Sequence, residues 1–339
     1  MKMDSDSLQI LEKNLSDTLQ LAISHDLQSP SLIISDQQSI LSKLLAQTYE
    51  KVCVGGKFLT IEDANFEQII QEIDALPANA LVVLVQSSNF RLNEFRFRIE
   101  LFKRQLKVIE HVHLDRMPES EISTYIQSLA YDSTYYHHMG PLLKSKIDAC
   151  KQIKLVGADW ELLYDSPFED SKLNIGDYRH LKNVGGQFPI GEVFSEPKDL
   201  MRVNGEVEFF AFGDTDFTVQ CPETPIRVKI ENGQIVGATN APKNFEYILT
   251  DIKNIEKTVW IRELGFGLNR AFNKHQRVSD IGAYERMCGI HISIGAKHAM
   301  FTKENFPKKQ CKFHVDAFAD VQKVLIDEEV VFENEKYIL

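Results

Sequence analysis

The apolar positions of this chain follow two different textures. In the first part they alternate between a helical period and short unbroken runs. Leu8, Leu11, Leu15, Leu19 and Ile23 recur at spacings of three and four, which predicts an amphipathic helix at the start. SLIISD (31–36) is a short apolar run of strand type, and QSILSKLLAQTYEK (38–51) returns to the helical period. The alternation continues through NFEQIIQEIDAL (65–76, helix), ALVVLVQ (80–86, strand), NEFRFRIELFKRQL (93–106, helix), VIEHVHL (108–114, strand) and ESEISTYIQSLAY (119–131, helix). Strands alternating with helices predict an α/β layer built on a parallel sheet.

Beyond about residue 150 the helical period gives way to short alternating strands and turns. QIKLVGADWELLY (152–164), GEVEFFAFG (205–213) and IRVKIENGQIVG (226–237) are of this kind, and Asn232-Gly233 predicts a tight hairpin turn. The expected organisation is therefore an N-terminal α/β domain over residues 1–150 and a C-terminal, mainly β (α+β) domain over residues 151–339. The length of 339 residues suits two domains of roughly 150 residues each.

The formal net charge is −11. That argues against nucleic acid or an anionic membrane as a partner, since either calls for a basic surface. No run approaches the roughly 20 apolar residues of a membrane span, and the first residues lack the apolar segment of a signal peptide. The five cysteines are scattered, with no CxxC pair, so a disulfide frame or zinc knuckle is not expected. These features predict a cytoplasmic protein. There is no GxGxxG, GxxxxGK[ST] or GxSxG, so neither a nucleotide site nor a serine hydrolase is signalled.

The candidate chemistry lies in the second part. CKFHVDAF (311–318) reads as a strand whose alternation puts His314 and Asp316 on one face, and Cys311, Phe313, Val315 and Ala317 on the other. GGQFPIGEVFSEP (185–197) carries Glu192, WIRELGFGLNR (260–270) carries Glu263, and GIHISIGAKHAM (289–300) carries His291. Each residue alone has a plainer reading: a turn carboxylate, an edge-strand charge, a hydrogen-bonded core histidine. Together they are two glutamates, two histidines and one aspartate in apolar or glycine-bearing sequence. Buried charges are costly unless paired or bound to metal, and this donor set suits divalent zinc, manganese or cobalt. GGQFP (185–189) is expected to be a turn that lets the backbone approach that site. YYHHMG (135–140) reads as a helix-start or interface cluster, with a substrate-facing lid as the alternative. Arg262, next to Glu263 on a strand, is expected on the opposite face.

In order, P-x-GEVF-x-x-P, ELGFGLN, HISIG and HVD resemble the metallo-aminopeptidases of the aminopeptidase T and aminopeptidase S type. VGADWELLY and VEFFAFG…IRVKIENGQIVG add to the likeness, which covers roughly residues 150–320. The resemblance implies a dinuclear site with Glu192, Glu263, His291, His314 and Asp316 as metal ligands. It further implies two divalent ions (zinc, cobalt or manganese), a peptide substrate trimmed at its N-terminus by metal-activated water, and a homodimer. Glu192, Glu263 and His298 are the residues expected to carry catalysis. His298 departs from the family, which has tyrosine at that position. More distantly, the chain is similar to ring-cleaving dihydroxypyridine dioxygenases. That alternative implies one Fe(II) on two histidines and a carboxylate, and a small hydroxylated aromatic substrate. Those enzymes have histidine where this chain has Glu263.

Overall fold

The computed structural model describes residues 5–92, 95–295, 301 and 314–339. The chain separates into two compact units. The first comprises residues 1–137, 176–190 and 278–283, the second residues 138–175, 191–277 and 284–339.

The first unit is built on five parallel strands: β1 (Ser31–Ser35), β2 (Gly56–Thr60), β3 (Leu81–Val85), β4 (Lys107–His111) and β5 (Gly185–Gln187). Their spatial order is β5-β4-β3-β1-β2. β1 and β3 are buried along their whole length, because a parallel sheet is covered on both faces and its strands must be apolar throughout. Ile34, Val82, Leu84 and Val108 pack on one side against Ile69 and Ile73 of helix α1 (Phe66–Asp74) and Phe97 and Leu101 of α2 (Phe97–Lys103). Each such side chain contributes about 1.5–3 kcal/mol by leaving water. Local signals start the helices. Ser39 caps the helix Ile40–Val52 by accepting from the Ser42 backbone N–H, and Asn65 caps α1 by accepting from that of Gln68.

Where the strand order reverses between β1 and β3, an α/β sheet commonly opens a crevice. Here side chains of the unit bond to one another. Asp36 accepts from the Ser87 backbone N–H and hydroxyl, both at 2.6 Å, and the Ser87 hydroxyl also meets those of Ser39 (2.9 Å) and Ser42 (3.1 Å).

Two expectations for this unit need correction. The Gly185–Gln187 stretch is not a turn; it is β5, paired in parallel with β4. Gly185 has φ +119, and a Cβ there would lie 1.8 Å from the Val108 carbonyl oxygen. The glycine therefore serves close strand pairing rather than an approach to the carboxylate and histidine cluster. The helix expected over 93–106 begins only at Phe97, after a short hairpin of Arg91–Leu92 with Phe95–Arg96. Tyr135–Gly140 lies in the first turns of a long helix (Ser133–Ala149), as the helix-start reading has it.

The second unit is a large antiparallel sheet. Its part relevant to function runs β7 (Val203–Gly213), β12 (His314–Ala319), β11 (Gly289–Gly295), β10 (Ile261–Gly267) and β6 (Glu192–Ser195). β8 (Ile226–Glu231) and β9 (Gln234–Thr239) form the expected hairpin, with Asn232 and Gly233 both at positive φ. β10 and β11 are buried at every position. A strand buried on both faces cannot place a charge in water, so any charged residue there must find partners inside.

Candidate metal centre

Glu192 opens β6, Glu263 lies in β10, His291 in β11, and His314 and Asp316 in β12. Antiparallel pairing brings these strands side by side. His291 stands opposite Gly265 of β10 and Phe318 of β12, and Ser293 stands opposite Asp316. Directly opposed residues share a face, as do positions two apart. His291, Ser293, His314, Asp316 and Phe318 thus line one side of the sheet. β10 and β11 slip in register between Ile261 and Leu264. At that irregularity the Glu263 backbone N–H donates to the Ser293 hydroxyl at 3.0 Å.

Gly265 explains why the imidazole fits. A Cβ at Gly265 would lie 2.0 Å from His291 Cε1 and 2.1 Å from Nε2. The ring therefore lies directly over the β10 backbone, and only glycine leaves room for it. The first glycine of the ELGFG stretch is thus a cradle for His291.

Glu192, Glu263 and His291 each offer a ligand atom, with all three atoms within 4.8 Å of one another. His291 Nε2 is 3.2 Å from Glu192 Oε1 and 4.0 Å from Glu263 Oε1. His314 Nε2 is 3.3 Å from Asp316 Oδ1. Glu192, Glu263, His291 and Asp316 are all at most 5% exposed. Despite these short separations, among the described residues His291 Nε2, Glu263 Oε2 and Asp316 Oδ1 have no aligned hydrogen-bond partner. Buried polar atoms are almost always satisfied, so the exceptions point to a missing partner at one place.

The electrostatics agree. Burial pushes the Glu263 carboxyl well above the usual carboxylate range, and the neighbouring charges of Glu192, Asp316 and Glu196 add to the rise. Burial acts the same way on Glu192, but Arg286 and His291 outweigh it and hold that carboxyl below its ordinary value. Asp316 is likewise held low against burial, by His314, His291 and Arg286. A bound cation would relieve the repulsion at Glu263, satisfy the orphaned atoms and meet donors of the right chemistry. The residues present therefore fit a divalent ion.

Arg262 points to other partners, as alternation requires. Its guanidinium meets Glu256 Oε2 at 3.2 Å and donates to the Gly295 carbonyl at 3.2 Å. His298 lies outside the described residues, as do Cys311 and Phe313.

Two charged residues escaped the sequence reading. Glu196, in SEP, is 2% exposed; the β6–β10 pairing of Ser195 with Leu264 puts it next to Glu263 in the following step of the register. Arg286 is 7% exposed, with its Nη1 3.3 Å from Glu192 Oε2 and against Glu285. A Glu-Arg pair in a turn-rich stretch looks like solvated charge, so no pattern marked it. For Glu196 the one available signal was its place four residues beyond Glu192, just past the strand.

The sequence matches no known family model and no curated protein. Among solved structures the fold is similar to that of AmpT from Thermus thermophilus. The TM-score is 0.55 at 12% identity, and the match covers 98% of this chain and 99% of that chain. The likeness is one of fold, distant in sequence and extending over nearly the full length.

Proposed function

We propose that this protein is a metal-dependent hydrolase of the aminopeptidase type, releasing an N-terminal residue from a peptide. The observation that carries this reading is the buried trio Glu192, Glu263 and His291, with unsatisfied atoms converging on one point. The aminopeptidase T-like fold supports it. A divalent ion bound there would supply a water of lowered pKa and a Lewis acid for a carbonyl oxygen.

The chain's own residues do the rest. Glu192 and Glu263 present carboxylate oxygens, His291 presents Nε2, and Gly265 fixes the orientation of that ring. His314 and Asp316 stand beside the trio as further donors. The buried walls of β10 and β11 keep bulk water from the carboxylates, which strengthens every charge interaction inside. Two carboxylates and one histidine also differ from the two-histidine, one-carboxylate set of Fe(II) oxygenases, which favours hydrolysis over ring cleavage.

The test is a panel of short peptides with free or acetylated N-termini, incubated with the protein and Zn²⁺, Mn²⁺ or Co²⁺. The reading predicts release of the first residue from free-amine peptides only, abolished by a chelator. No release with any of the ions, or oxygen consumption with Fe(II) on a dihydroxylated pyridine, would contradict it.

A further inference from the structure

The two oxygens of Glu192 face different partners. Oε1 faces His291 Nε2 at 3.2 Å and belongs to the trio. Oε2 faces Arg286 Nη1 at 3.3 Å. In its common two-oxygen bridging mode a carboxylate gives one oxygen to each of two metal ions, and here the second oxygen already has a fixed cation against it.

Arg286 is built into this position. It is 7% exposed, and Glu285 also meets Nη1. Among the described residues its Nε and Nη1 have no aligned hydrogen-bond acceptor, so Nη1 meets the two glutamates as an ion pair. Its charge also helps to hold the Asp316 carboxyl low, while the Glu263 carboxyl is raised by burial and by the charges of Glu192, Asp316 and Glu196. The cluster is therefore lopsided. The Glu192–Asp316 end has a resident positive charge, whereas the Glu263 end has Glu196 beside it.

We propose that the site holds one divalent ion, on Glu192, Glu263 and His291, and that the Arg286 guanidinium stands in for a second. This rests on the metal-site reading above and refines it. A guanidinium is always charged, cannot give up its proton at ordinary pH, and suits a carboxylate partner. Next to the first ion it supplies positive charge without a labile ligand. A second ion at Glu192 Oε2, His314 and Asp316 would meet that charge in a dry setting, where like charges repel strongly.

The experiment is a Mn²⁺ titration of the whole, metal-stripped protein. Calorimetry reads the number of ions, and electron paramagnetic resonance reads whether two manganese ions are coupled. The wild type is expected to bind one ion tightly, with any second at least about 100-fold weaker, and to show no coupled manganese spectrum. Arg286→Gln is expected to bind a second ion within about tenfold of the first and to show the coupled signal. Arg286→Lys keeps the charge and is expected to stay at one ion. Two tight ions in the wild type would overturn the proposal, as would a folded Arg286→Gln variant with an unchanged titration. If Arg286→Gln does not fold, the wild-type count still decides. Absence of any Mn²⁺ binding is a separate outcome, and it would overturn the metal-site reading itself.

Discussion

At the scale of single residues, the candidate site depends on one missing side chain and one costly one. Gly265 is the missing one. Gly265→Ala would put a methyl group 2.0 Å from His291 Cε1, and the ring would have to leave the trio. We expect the ion affinity to fall by at least about tenfold, with overpacking costing about 1–3 kcal/mol; Zn²⁺ titration and urea unfolding would measure the two. An unchanged affinity would mean that His291 does not need its cradle. Glu263 is the costly one. Its carboxyl is pushed well above 4.5 in the folded protein, so the stability it contributes is complete below that ordinary value and is lost as pH rises through the folded value. Near neutrality the metal-free protein carries this cost. Glu263→Gln is therefore expected to raise the melting temperature of the metal-free protein and to abolish the gain that Zn²⁺ gives the wild type. A variant less stable than wild type in chelator would contradict that reading.

At the scale of elements, the legible strands were those whose burial matches a simple period. β1, β3 and the β8–β9 hairpin stood out because unbroken apolar runs and Asn-Gly turns have one economical structure. β5 did not, because Gly185 and Gly186 carry no side chain to pattern and the strand is formed by pairing with β4, far away in sequence. Four of the candidate donors were legible as polar residues in apolar strands: Glu263, His291, His314 and Asp316. Glu192 looked like part of a turn and is the first residue of β6. Arg286 was illegible because its burial depends on where Glu192 lies, which no local pattern encodes. β4 carries its own test in His111. That ring is 1% exposed and sits between the hydroxyls of Tyr49 (2.9 Å) and Tyr125 (3.0 Å). Burial lowers its pKa to about 3 from 6.5. The folded state thus resists a proton that the unfolded chain accepts, and the stability is full above 6.5 and falls as pH drops from 6.5 toward about 3. By pH 4.5 the loss from this group is roughly 2–3 kcal/mol. Urea midpoints at pH 7.5 and 4.5 should fall further apart for wild type than for His111→Gln, and equal separations would contradict the argument.

At the scale of the whole molecule, the expected fold class holds: a parallel α/β sheet in one unit and a mainly antiparallel β sheet in the other. Among the described residues no helix is long and apolar enough to cross a membrane. The second unit gathers Glu192, Glu263, His291, His314 and Asp316 from four strands scattered over more than a hundred residues of sequence. That gathering is what a long-range antiparallel sheet does and what a local period cannot foretell. The central claim is that these strands converge to hold a divalent ion. Anomalous diffraction from crystals of the Zn²⁺-loaded protein, recorded on both sides of the zinc edge, tests it most directly. The account predicts a strong peak within ligand distance, about 2.0–2.2 Å, of Glu192, Glu263 and His291. A peak elsewhere, or none at that position, would contradict it.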